Sequence, residues 1–250
     1  MVTPEGFLSI DLWAKHEAFY HRAFSRALYL LKSSLSVPTE EIDLNRQLYA
    51  CLLKANRELD PEGTYPPPSV ECCNQPDFDD SSRAERENKR PDFTWGFADP
   101  HEPDYLKSAK QFIIECKRIG DSRRPQWILN ENYVEHGILR FVSPVWSYAQ
   151  RFPSGMMVGY WQNMEWKQVF GEINVALLNH GLPILVLLNE RQQIGPLNTL
   201  QHSFNRPFPV SPFRLDHLWV DLRSTPAVFK PSKKVTAPRR KKKQPRRAGK

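Results

Sequence analysis

Residues 111–120, QFIIECKRIG, carry Glu115 and Lys117 inside an apolar run of Phe112, Ile113, Ile114 and Cys116. Such a run predicts a buried strand, and burying a carboxylate and an ammonium there costs several kcal/mol unless each finds a partner. Residues two apart in a strand share a face, so Glu115 and Lys117 project together while Ile114 and Cys116 turn to the opposite layer. Either that face lies in water as a plain surface pair, or the fold brings compensating charge to it.

The segment just upstream supplies a second carboxylate. RPDFTWGF (90–97) and KQFIIECKRI (110–119) read as two strands joined by ADPHEPDYLKSA, whose His, Pro and Asp residues suit a hairpin loop. Asp92 lies 23 residues before Glu115, and both are equidistant from a turn centre at 103–104. In a simple antiparallel hairpin such residues are cross-strand neighbours, with Cβ atoms about 4.5–5.5 Å apart. Like charges that close raise one pKa unless a cation lies between them. A hard site of one or two carboxylates plus phosphate oxygens is how Mg²⁺ is usually held. A different register would put Asp104 in place of Asp92.

Around this hairpin the chain alternates. Residues 8–35 show the three-to-four-residue apolar spacing of an amphipathic helix, through Leu12, Phe19, Ala23, Ala27 and Leu30 or Leu31. A second helix is expected over 37–59, with Thr39 as N-cap, acids in its first turn and an apolar stripe of Ile42, Leu44, Leu48, Leu52 and Leu53. Residues 59–88, rich in Pro, Asp, Ser and Glu, read as a long irregular excursion. Beyond the hairpin come a helix over 128–142, a buried strand over 154–161, a helix closed by Gly181, the strand PILVLL and a late strand FRLDHLWVDL. This order predicts an α/β or α+β fold, a mixed β-sheet flanked by helices. A single domain is expected over 1–225, with its core at about 38–190, and a disordered basic tail over 226–250.

Charge is distributed unevenly. The net charge of +7 suggests a nucleic-acid partner, but eleven of the 35 basic residues and none of the 28 acidic ones fall in 226–250, leaving residues 1–225 with 24 against 28, a net −4. In that tail Arg239, Arg240, Lys241, Lys242, Lys243, Arg246 and Arg247 are candidate nucleic-acid contacts. Lys and Arg there would release counterions from a phosphate backbone and give salt-sensitive, sequence-independent affinity. A localisation signal or partner-binding arm is the competing use. Four cysteines without CxxC spacing support neither a zinc knuckle nor a disulfide framework. The charged start of the chain and the lack of a membrane-length apolar stretch point to a cytoplasmic protein without a membrane partner, with nucleoid association as an alternative, and nuclear if its source is eukaryotic.

Pro91-Asp92 followed by Glu115-Cys116-Lys117 resembles the signature of the PD-(D/E)xK nuclease superfamily, over residues 38–161. The stretch 131–161 is also similar to the segment after the ExK strand in some bacterial members. The resemblance implies a restriction-endonuclease-like αβββαβ core, whose first strand has no obvious counterpart here, and a Mg²⁺- or Mn²⁺-dependent endonuclease acting on DNA in restriction, repair or anti-phage defence. It makes Asp92 and Glu115 metal ligands, Lys117 the group that orients or deprotonates the attacking water, and the Cys116 carbonyl a further ligand. A Glu from the first core helix, Glu40 or Glu41, is a further candidate, against the plainer reading of first-turn acids opposing the helix dipole. A partner protein that supplies targeting, and a homodimer, are compatible with this reading. So is a catalytically silent nucleic-acid-binding or scaffold subunit.

The spelling alone is not selective: Pro-Asp occurs at 76–77, 91–92 and 103–104, and Glu-x-Lys at 87–89, 115–117 and 165–167. Only 115–117 lies in an apolar strand. HEAFYH (16–21) has one residue too many for a metal-binding HExxH helix, since five residues at about 100° each place His16 and His21 on different faces. Arg140 and Gln150 read as surface or capping residues, with contact to a phosphate backbone as the alternative, and His202, Arg206 and His217 as a packed cluster.

Overall fold

The computed structural model describes residues 4–76, 79–121, 128–188 and 197–223. The tail at 226–250, with all seven of its candidate contacts, and Asp77 lie outside the described residues. The chain folds as α+β around one seven-stranded mixed sheet, in the order β1-β2-β3-β4-β7-β6-β5. Among the described residues no helix is long and apolar enough to cross a membrane.

Helix α1 (Pro4–Lys32) buries Phe19, Tyr20, Ala23, Phe24, Ala27, Leu28 and Leu31, the expected stripe widened by its neighbours. Fully burying an aromatic side chain contributes about 1.5–3 kcal/mol; here Tyr20 stacks on Trp95 at 4.2 Å and Phe19 on Tyr65 at 4.0 Å. Helix α2 (Glu41–Leu59) buries Leu44, Leu48, Leu52 and Ala55, a 3.6-residue period. Ile42 and Leu53, expected in that stripe, are exposed. Thr39 is not the cap either: Glu40 holds that position without a capping bond, and the Thr39 carbonyl accepts from Arg118 and Gln162.

The 59–88 excursion contains a two-residue strand, β1 (Ser69–Val70), and a short helix, α3 (Arg83–Glu87). Strands β2 (Phe93–Ala98) and β3 (Ala109–Ile119) form the hairpin, in register from Phe93 opposite Ile114 to Ala98 opposite Ala109. Helix α4 (Tyr105–Ser108) occupies the apex, where the Asp104 carboxylate accepts from the Leu106 amide at 3.0 Å. Asp104 is therefore an apex cap and no substitute for Asp92.

The helix expected over 128–142 is α5 (Leu129–Tyr133), a π-helical turn over Val134–Ile138, and α6 (Leu139–Val142). Gly137 sits in the π turn where a Cβ would meet Met157 Cε at 2.6 Å, so a larger residue there would require the end of the Met157 side chain to shift. Strand β4 (Ser154–Trp161), buried throughout, runs parallel to both β3 and β7. Helix α7 (Trp166–Asn179) ends at Gly181, which adopts φ +69° as a helix-terminating glycine does. The PILVLL strand reduces to β5 (Val186–Leu187) at the sheet edge, and β7 (Phe213–Asp221) follows the late-strand expectation.

Strand β6 (Leu197–Phe204), LNTLQHSF, has no counterpart among the expected strands, since its interior is too polar to read as a core strand. The fold accommodates that polarity with a buried chain of polar side chains. His202 Nδ1 lies 2.9 Å from His217 Nε2, His217 Nδ1 lies 2.7 Å from the Tyr133 hydroxyl, and the Trp219 indole donates to that hydroxyl at 2.9 Å. Burial pushes His202 down to about 4 and His217 further below its ordinary value, so both are neutral near pH 7. Arg206, grouped with them on sequence, sits apart and donates to backbone carbonyls.

Candidate active site

Strand β2 begins at Phe93, so β3 continues past it with Glu115, Cys116, Lys117 and Arg118 on an edge that no strand among the described residues covers. Exposed backbone donors there need acceptors. Two carboxylates provide them: Asp92 Oδ2 accepts from the Cys116 amide at 2.7 Å, and Glu41 Oε2 from the Arg118 amide at 3.2 Å. One step of the hairpin register beyond Phe93 and Ile114 sets Asp92 opposite Glu115.

Lys117 lies at the centre. Its ammonium is 2.9 Å from Glu41 Oε1, 3.0 Å from Glu115 Oε1 and 3.9 Å from Asp92 Oδ2, and donates to the Cys116 carbonyl at 2.8 Å. Arg140 of α6 donates to the same Glu115 oxygen through Nη1. Exposure falls from 32% at the Glu41 side chain through 18% at Asp92 and 11% at Lys117 to zero at Glu115. The cluster therefore opens at the α2 N-terminus, and Glu115 is its floor.

Burial, and next to it the Glu115 charge, raises the Asp92 pKa well above the ordinary carboxylate value, against Lys117 and the Cys116 amide, which lower it. For Lys117 burial opposes the charge, but Glu115, Asp92 and Glu41 together hold its pKa above the ordinary lysine value. Asn45 of α2 fixes Asp92 from behind, donating to Oδ1 at 3.0 Å while accepting from the Tyr160 hydroxyl at 2.7 Å. Cys116 turns away and is buried beside Tyr160.

Asp92, Glu115, Lys117 and Glu41 are thus brought together with the Cys116 carbonyl. Glu40 is not: its carboxylate is 70% exposed and pairs with Arg118 at 3.2 Å. Arg140 and Asn45 also belong to the site. The sequence reads Arg140 as a surface or capping residue with phosphate contact as the alternative, and Asn45 carries no signal in it.

The donor set is all oxygen: three carboxylates and a carbonyl, the chemistry a hard divalent cation takes. Glu115 Oε2 is buried and has no hydrogen-bond partner. The carboxylates do not close around one point, because the Lys117 ammonium lies among them. Among the described residues, Glu17, His21 and Asp216 do bring ligand atoms within 4.8 Å of one another. That trio is saturated by protein donors. Asp216 is bound by His21 at 3.1 Å, Arg214 at 3.2 Å and Gln201 at 2.6 Å, and Glu17 by Arg214 and Ser154. It clamps α1 to β7, and its hydrogen bonds and ion pairs outweigh burial to hold Asp216 at about 2. His16, by contrast, faces Tyr20, so the two histidines of HEAFYH part as their spacing requires.

No family model, curated protein or solved structure matches this chain.

Proposed function

We propose that this chain is a divalent-metal-dependent nuclease of the PD-(D/E)xK type, acting on DNA. The observation that carries this reading is the convergence of Asp92, Glu115, Lys117 and Glu41 on the uncovered edge of β3. The succession α2, β1, β2, β3, α5–α6, β4, with the short helices α3 and α4 between its strands and with β3 and β4 parallel, supports a restriction-endonuclease-like core, and β1 is a candidate for the first strand that the sequence alone does not place.

Asp92, Glu115, the Cys116 carbonyl and Glu41 would hold Mg²⁺ or Mn²⁺. When bound, such an ion lowers the pKa of water and neutralises charge on phosphoryl oxygens. The chain's own residues do the rest. Lys117, held between Glu41, Glu115 and the Cys116 carbonyl, would orient or deprotonate the attacking water. Asn45 fixes the rotamer of Asp92, and Cys116 and Tyr160 close the site from the core side. Purified protein should cut plasmid or single-stranded DNA with Mg²⁺ and not with EDTA, and Asp92→Ala and Lys117→Ala should reduce cutting by at least about 10³-fold. Cleavage that persists in both variants would sink the assignment.

One observation favours a silent nucleic-acid-binding or scaffold subunit instead: Asp92, Glu41 and Glu115 each already have a protein donor. That reading predicts nucleic-acid binding with no cutting under any metal, alone or with a partner protein. In either case the basic tail is the tether. Removing residues 226–250 should weaken DNA binding and reduce the slope of log affinity against log salt by several units, since each phosphate contact contributes about 0.7–0.9. An unchanged slope rules the tether out.

A further inference from the structure

Beside the carboxylates lies a set of polar groups that the nuclease reading does not use. Arg140 engages Glu115 Oε1 through Nη1 alone, and its guanidinium carbon sits 4.3 Å over the ring of Trp146. Its Nε is buried and has no hydrogen-bond partner. The Tyr148 hydroxyl, in a side chain with no exposure, lies against the Arg140 guanidinium, and Glu115 Oε2 is buried with no hydrogen-bond partner. A phenol hydroxyl can donate as well as accept. Arg140 Nε and Glu115 Oε2, a buried donor and a buried acceptor left unmatched in one charged cluster, form with the neighbouring Tyr148 hydroxyl a site that lacks its ligand.

The charges indicate which ligand. Glu41, Asp92 and Glu115 carry three formal negative charges against two positive ones on Lys117 and Arg140. One divalent ion turns this −1 into +1, which a phosphodiester monoanion cancels. Two cations on one Glu115 oxygen are also one too many once a divalent ion shares that carboxylate. Lys117 is anchored by three acceptors, whereas Arg140 has one carboxylate contact and 19% of its side chain exposed, so Arg140 is the group free to turn. A guanidinium stacked on an aromatic ring keeps its edge donors available, and its fork matches two phosphate oxygens.

We propose that Arg140, backed by the Tyr148 hydroxyl, is the phosphate-binding arm of this site: Glu115 stores it in the metal-free protein, and it turns to the scissile phosphodiester of DNA once a divalent cation occupies Glu115. The inference rests on the nuclease reading and adds a residue that touches substrate only in the metal-loaded state. No bond is made or broken in the turn; one ion pair is exchanged for another.

The test is binding rather than cleavage. Anisotropy of a fluorescent DNA oligonucleotide is measured with Ca²⁺ and with EDTA for the wild type, Arg140→Met and Tyr148→Phe, and Mn²⁺ affinity is measured by calorimetry. Arg140→Met should weaken DNA binding about tenfold or more in Ca²⁺ and leave it unchanged in EDTA, while Mn²⁺ binds several-fold more tightly because no cation has to leave Glu115. Tyr148→Phe keeps the ring and removes only the hydroxyl beside Arg140, so it folds as the wild type does and should lose about two- to fivefold in Ca²⁺ alone. Equal losses in Ca²⁺ and EDTA, or none, overturn the proposal while leaving the nuclease reading intact. A wild type that shows neither Mn²⁺ binding nor Ca²⁺-dependent DNA binding overturns both. If Arg140→Met does not fold, the Tyr148→Phe arm decides.

Discussion

A Lys117→Met variant is expected to lose cleavage altogether and, in EDTA, to unfold with a free energy lower by about 3 kcal/mol, while Mg²⁺ stabilises it more than it stabilises the wild type. Methionine keeps the length and apolar stem of lysine, so packing against the π turn at Gly137 survives and only the charge is lost. The variant is left with a set of inward-facing carboxylates, and the fully buried Glu115 has Arg140 as its one cation. Removing one partner of a buried ionic cluster costs about 3–5 kcal/mol, because the others keep their desolvation penalty. The lower end applies here, since Glu41 is one-third exposed and Asp92 and Glu41 retain their backbone donors. A divalent ion can supply the missing positive charge, and ligand binding to the folded state stabilises by mass action. Urea denaturation with and without Mg²⁺ reads this directly. A loss of stability that Mg²⁺ leaves untouched would mean that Lys117 is a plain structural cation.

The second large effect lies away from the carboxylates. Arg206→Met should lower the unfolding free energy by about 3–5 kcal/mol, since each buried carbonyl left without a donor costs about 1–3 kcal/mol and water can reach some of them. Arg206 is buried and donates to the carbonyls of Val210, Tyr148, Ala149 and Phe152 at 2.7–3.0 Å, with its guanidinium 4.0 Å over Phe213. Three of them, the carbonyls of Tyr148, Ala149 and Phe152, converge because the 147–152 turn is bent through left-handed backbone at Ser147 and Ala149, φ 47° and 53°, which costs energy in residues with a Cβ. Arg206 therefore holds a strained turn, and that turn carries Tyr148 and Trp146 to Arg140. Arg206→Lys should recover little, because an ammonium cannot span four acceptors. Denaturation of both variants checks this, and a change below about 1 kcal/mol in Arg206→Met would contradict the role.

The hairpin register is legible in the sequence because it depends on one local quantity. Asp92 and Glu115 are equidistant from the apex, and the loop inserts no bulge between them. The edge of β3 is not legible: nothing in RPDF says that pairing begins only at Phe93, yet that late start leaves the Cys116 and Arg118 amides for Asp92 and Glu41. Glu40 and Glu41 are equivalent in the sequence. The helix begins at Glu41, which turns that side chain inward and leaves Glu40 outside. Arg140 is hidden for a related reason, since its direction depends on a π turn that shifts the helical phase after Tyr133, and no residue spacing announces such a turn. Strand β6 escapes because the partners of its polar side chains lie on the next strand, His217 for His202 and Asp216 for Gln201. Local spacing is visible in a sequence, whereas which polar groups meet across the fold is not.

The metal centre is expected at the Glu115 cluster, and not at the Glu17, His21 and Asp216 trio. Titrating the wild type, Glu115→Gln and Glu17→Gln with Mn²⁺, and counting bound ions by electron paramagnetic resonance, separates the two. One Mn²⁺ per chain is expected in the wild type and in Glu17→Gln, with binding lost in Glu115→Gln. Binding that survives Glu115→Gln, or none in the wild type, would contradict it.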